Sequence, residues 1–149
     1  MERIKNTTGK ILSVDFGDVR TGLAISDPSR FLASGIGYIS PGGLEKTAEA
    51  VAAIAKEQKA VAIVVGLPKN MDGSEGESAQ NARNFAKLLE EMTGIKTVMQ
   101  DERGTTITAH NFLNTTNTRG KKRKNVVDEV AATIILQNFL DKRKNAARF

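Results

Sequence analysis

Three aspartates stand where carboxylates could work together: Asp15 and Asp101 each close an apolar run, and Asp128 opens one. Carboxylates are hard oxygen donors suited to Mg2+ or Mn2+ rather than zinc. Two such ions about 4 Å apart activate water on one side of a phosphodiester and stabilise the leaving oxygen on the other, with no side-chain nucleophile. Other chemistries are poorly supplied. The chain has no cysteine and a single histidine, His110, which removes thiolate zinc sites and thiol catalysis and leaves little for a Ser-His-Asp triad.

Each acid also has an ordinary alternative role. An aspartate after a strand is a common turn former or helix cap. Asp128 would complete a capping pair with Asn125 at the start of the last helix. Against that, helical spacing puts Asp128 on one stripe with Ala132, Ile135 and Phe139. An acid on a buried face is costly unless paired or metal-bound. Glu129, one step round the helix, is the expected exposed counterpart.

The elements that position these residues follow from the hydrophobic pattern. Lys10 to Asp15 (KILSVD) and Thr21 to Ser26 (TGLAIS) read as strands of a hairpin, and Gly35 to Ser40 as a third strand before the break Pro41-Gly42-Gly43. Leu44 to Gln58 has helical spacing. Ala60 to Gly66 (AVAIVVG) is an unbroken apolar run, as expected of a central strand covered on both faces. Ser78 to Met92 is a second helix ended by Gly94, Lys96 to Asp101 a short strand and Thr105 to Leu113 a short helix. Asn114 to Asn125 reads as a polar, basic loop and Val126 to Leu140 as the last helix.

This order predicts an α/β fold, with a mixed five-stranded sheet of an antiparallel three-strand meander plus two parallel strands, flanked by helices. If Asp15 and Asp101 end parallel strands, they share the sheet edge where open α/β folds bind ligands. At 149 residues with 40% hydrophobic and 26% charged, the chain is expected to form one domain over residues 1–149. Lys+Arg exceed Asp+Glu by 22 to 17, which favours a polyanionic partner. Neither a signal peptide nor a membrane span is evident, so a cytoplasmic protein with no membrane partner is expected.

Four ordered motifs carry a family resemblance. They are the segment from Asp15-Phe16-Gly17 through Arg20-Thr21-Gly22 to Ser26-Asp27; Val65-Gly66-Leu67-Pro68 with Asn70-Met71-Asp72-Gly73; Asp101-Glu102-Arg103 before Thr105-Thr106; and Val127-Asp128-Glu129 before Ala131-Ala132. Over nearly its whole length the chain resembles the YqgF family, described as Holliday-junction resolvases and as nucleases maturing the 5′ end of pre-16S ribosomal RNA. The resemblance implies a ribonuclease H-like fold and a two-metal-ion nuclease using Mg2+ or Mn2+, with Asp15, Asp101 and Asp128 as catalytic metal ligands. Glu102 is the rival to Asp101. Gly104 replaces a larger apolar residue usual in the family, which loosens the turn after Asp101.

Basic and polar groups flank the expected site. Arg20, Lys69, Asn70 and Arg103 follow strands near the proposed catalytic edge, and Arg119 to Lys124 places five cations in six positions just before Asp128. Arg20, Lys69, Asn70, Arg103, Lys121, Lys122, Arg123 and Lys124 are the candidate nucleic-acid contacts. The partner is structured RNA, such as pre-rRNA on the ribosome, or branched DNA. Few aromatics favour recognition of backbone shape over base stacking. The competing readings are a Holliday-junction resolvase, a non-catalytic ribosome-assembly module, and a nucleotide-binding lobe of the actin-like ATPase or sugar-kinase type, for which the chain is too short. Oligomeric state stays open.

Overall fold

The computed structural model describes residues 8–17, 19–102 and 120–147, the last segment with its side chains from 127 to 143. Its elements are β1 (Ile11–Asp15), β2 (Thr21–Ser26), β3 (Ala33–Ile39), α1 (Leu44–Glu57), β4 (Ala62–Leu67), α2 (Glu77–Thr93), β5 (Lys96–Asp101) and α3 (Gly120–Ala147). The five strands form one sheet of order β3-β2-β1-β4-β5. β1 pairs antiparallel with β2 and β2 with β3, while β1 and β4, and β4 and β5, pair in parallel. This is the expected mixed sheet. The carboxyl ends of β1, β4 and β5 therefore share one edge.

Alternation along β1 decides what lies on each face. Leu12 and Val14 join Ile63, Val65, Val51, Phe85 and Leu89 in a core under α1 and α2. Ile11 points the other way, with Ala24, Ala62, Val64, Ile135 and Leu136 in a second core under α3. All six residues of β4 are buried, as its continuous apolar run requires of a strand covered on both sides. Gly94 caps α2 with φ 69°, the left-handed conformation that glycine adopts without Cβ strain. No described helix is long and apolar enough to cross a membrane.

One expectation is corrected here. Residues 120–125, read as part of a basic loop, form the opening turns of α3. Lysine and arginine propagate a helix well, so the charge that resembled a solvated loop is compatible with continued helix. Asp128 consequently lies eight residues inside α3 and cannot act as a capping partner of Asn125. The predicted helix Thr105 to Leu113 lies outside the described residues.

Candidate active site

Asp15 occupies the last position of β1, on the α3 side of the sheet. Ser13, two residues earlier and so on the same side, donates its hydroxyl to the Ala132 carbonyl of α3 at 2.8 Å. Phe16 turns to the opposite side and stacks on Phe85 of α2, with ring centroids 4.5 Å apart and planes at 15°. The chain is thus held on both faces where the Asp15 carboxyl emerges.

Glu102 reaches the same point from β5. Its backbone N–H bonds the Leu67 carbonyl at 3.1 Å, extending the pairing with β4 by one residue. Gly66 leaves the space its side chain needs: a Cβ there would lie 2.8 Å from Glu102 Oε2 and 2.7 Å from Ile135 Cδ1. The Asp15 and Glu102 carboxyls lie in direct contact, which acts to raise the first and to lower the second. Burial first, then the charge and hydrogen bond of Glu102, then the charge of Asp128, raise the Asp15 carboxyl well above the usual carboxylate range. Glu102 is also raised, by burial and the charge of Asp101, against the lowering effect of its contact with Asp15.

The third acid is delivered by α3. A Cβ on Gly22 of β2 would lie 1.9 Å from the Asp128 carbonyl oxygen, so only glycine lets the helix backbone settle this closely on the sheet. Arg20, on the turn before β2, donates from Nε to Asp128 Oδ2 at 2.9 Å, with both side chains partly buried. Behind Asp128 the predicted stripe is buried: Ala132 is 0%, Ile135 1% and Phe139 6% exposed. Glu129, expected to be exposed, is half-buried with its side chain against Gly35.

Of the four acids considered from sequence, the structure brings Glu102 and Asp128 to bear on Asp15, while Asp101, exposed at the strand end, acts on Glu102. Among the described residues no three of these groups are close enough to form a complete metal cage. Their chemistry nevertheless fits a hard divalent cation. The donors are all carboxylate oxygens, and the burial and neighbouring negative charge that raise the Asp15 carboxyl are what such a cation offsets.

The remaining candidates fall in several settings. Lys69 and Glu75 pair backbone to backbone in an antiparallel bridge across the base of the loop after β4. Asn70 turns its amide back to Ser74 Oγ at 2.9 Å, bracing that loop. Arg20 is engaged with Asp128. Arg103 lies outside the described residues, as do the side chains of Lys121, Lys122, Arg123 and Lys124, although their backbone belongs to α3 above Asp128. Sequence reasoning missed Gly22 and Gly66 as spacing residues. The available signal was a glycine inside a strand, which marks close approach of another group.

Residues 9–142 match the profile of the family described as "RuvX: Holliday junction resolvase". A Leuconostoc mesenteroides protein named "Putative pre-16S rRNA nuclease" is 43% identical over 137 residues, covering 90% of this chain and 96% of its own. A Clostridium botulinum (strain Alaska E43) protein of the same name is 44% identical over 133 residues, covering 89% and 97%. Among solved structures, Thermus thermophilus RuvC in complex with a Holliday junction substrate superposes with a TM-score of 0.56 at 11% identity, over 91% of this chain and 96% of that one. At that identity the likeness concerns the fold alone, the ribonuclease H-like arrangement of sheet and helices.

Proposed function

The chain belongs to the RuvX family, and from that premise we propose that it is a divalent-cation-dependent endonuclease hydrolysing phosphodiesters, with the 5′ end of pre-16S ribosomal RNA as its substrate. The observation that carries the reading is the convergence of Asp15, Glu102 and Asp128, from three separate elements, on the carboxyl edge of the sheet. Asp15, Glu102 and Asp128 would hold Mg2+ or Mn2+, with Asp101 at the outer rim. When bound, the ions supply an activated water and stabilise the leaving oxygen, in the two-metal arrangement. Phe16 and Ser13 fix the strand that presents Asp15. Arg20 holds the Asp128 carboxylate in place and offers a cation near the scissile phosphate. Lys69, Arg103 and the cations from Lys121 to Lys124 contribute phosphate contacts around the edge.

The choice of ribosomal RNA follows the names of the relatives. Cleavage of branched DNA is the second reading, and the family description favours it. The test compares cleavage of a labelled pre-16S leader RNA and a four-way DNA junction by purified protein in Mg2+ or Mn2+, with Asp15→Asn as control. Metal-dependent cut RNA, lost in the variant, supports the first reading, and a cut junction with intact RNA supports the second. Cleavage by the variant at the wild-type rate would remove the proposed site.

A further inference from the structure

A second cluster of positive charge lies away from the acids. β5 is the last strand of the sheet, and beside it opens a cleft of about 350 Å3 between α2 and α3. Val98, Met99 and Phe139 form its apolar floor, while Arg83, Lys142 and Arg143 supply the cations. The two lips differ. Arg83 is neutralised by a two-pronged bridge to Glu75, at 2.8 Å on each oxygen. Among the described residues neither Lys142 nor Arg143 is paired with a carboxylate. Arg143 lies over the Phe139 ring, its guanidinium 5.6 Å from the centroid, which orients the charge without cancelling it.

We propose that this cleft is a second nucleic-acid contact, in which Lys142 and Arg143 take the phosphodiester backbone of a strand flanking the cleavage point. The inference rests on the nucleic-acid-cleaving reading above. A helix carboxyl end favours cations all around its rim, but here both fall on the side that opens toward β5. The field of Arg143 extends further: burial first, and then the charge of Arg143, lower the Arg30 pKa. The spacing also suits a flank. Fourteen residues of α3 separate Asp128 from Lys142, about 21 Å at 1.5 Å per residue, or roughly seven to eight base-pair steps of an A-form RNA helix. An open strand edge could instead pair with a second copy of this chain. A two-fold pairing through β5 would set Lys142 and Arg143 against their own counterparts, and like charges across an interface are unfavourable.

The test compares wild type with Lys142→Ala/Arg143→Ala and with Arg143→Lys. Fluorescence anisotropy reads binding of a short RNA stem that reaches only the acidic edge, and of the same stem extended by roughly eight base pairs, over a salt series. The double variant should bind the extended stem about tenfold more weakly, with a salt slope smaller by roughly one to two. Its affinity for the short stem and its cleavage rate on it should match wild type, and Arg143→Lys should keep most of the extended-stem affinity. Unchanged affinity and slope on the extended stem overturn the proposal while leaving the nuclease reading intact. Equal losses on both stems also overturn it, as does conversion of a wild-type dimer to monomer by the double variant. Wild type that neither binds nor cleaves RNA or DNA overturns the nuclease reading as well.

Discussion

The two faces of the sheet are built from different materials. Under α1 and α2 the core uses large side chains, Phe85, Leu89, Leu12 and Val51 among them, closed by the stacked rings of Phe16 and Phe85. Under α3 the sheet sets Ile11, Val64 and Val98 beside small residues, Ala24, Ala62, Gly22 and Gly66, and at the small ones a single helix with fully buried Ala132 comes close. Large side chains keep elements apart and supply apolar burial. Small ones bring backbones together and supply position. Both faces bury apolar side chains, and the close approach on the second sets where Asp128 meets Asp15.

Variants on each face should therefore fail in different ways. Leu89→Ala, in the same core but away from the Phe16 stack, should cost about 2–5 kcal/mol in urea unfolding, while the fraction that stays folded keeps most of its cleavage rate. Gly22→Ala should do the reverse. Its Cβ would meet the Asp128 carbonyl at 1.9 Å, so α3 must shift, costing about 1–3 kcal/mol in stability but about a hundredfold in cleavage, since displacement of about 1 Å at a reacting centre has that effect. If both variants lost activity and stability in the same ratio, the division of labour between the faces would fail. Ser13→Ala removes the buried bond to Ala132 and should cost about 1 kcal/mol, read by the same unfolding assay, with a modest fall in cleavage.

The smallest effect has the opposite sign. Burial, and then the neighbouring acids, raise the Asp15 pKa, so the native state holds a proton more tightly than the unfolded chain, and the acid's stability contribution is lost as pH climbs past its unfolded value toward its native one. Asp15→Asn carries no such penalty. In metal-free protein it should melt with wild type at acid pH and a few degrees above it near neutrality. A variant less stable than wild type at neutral pH would contradict the assigned crowding.

Much of this architecture is legible in the residues. Thr21 to Ser26 and Lys96 to Asp101 are strands within the predicted bounds, because each apolar run meets a clear break. β3 begins at Ala33 rather than Gly35. As an edge strand with exposed Phe31 and Leu32 just before it, it has no clean alternation to mark its start. The start of α3 is hidden by charge, since a lysine- and arginine-rich run suits a helix as well as a loop. Within the site, Asp15 and the stripe behind Asp128 follow from periodicity. The choice between Asp101 and Glu102 does not: neighbouring residues at a strand end face opposite ways, and a change of one residue in register exchanges them. In the structure the Glu102 N–H bonds the Leu67 carbonyl, and the Glu102 side chain reaches Asp15.

That exchange makes the central claim directly measurable. Cleavage of the preferred substrate in Mn2+ would be timed for Asp15→Asn, Glu102→Gln, Asp128→Asn and Asp101→Asn, each first shown to be folded. The convergence of three acids predicts losses of about a hundredfold to a thousandfold for the first three and a much smaller one for Asp101→Asn. Full activity in Glu102→Gln, with activity abolished in Asp101→Asn, would contradict it.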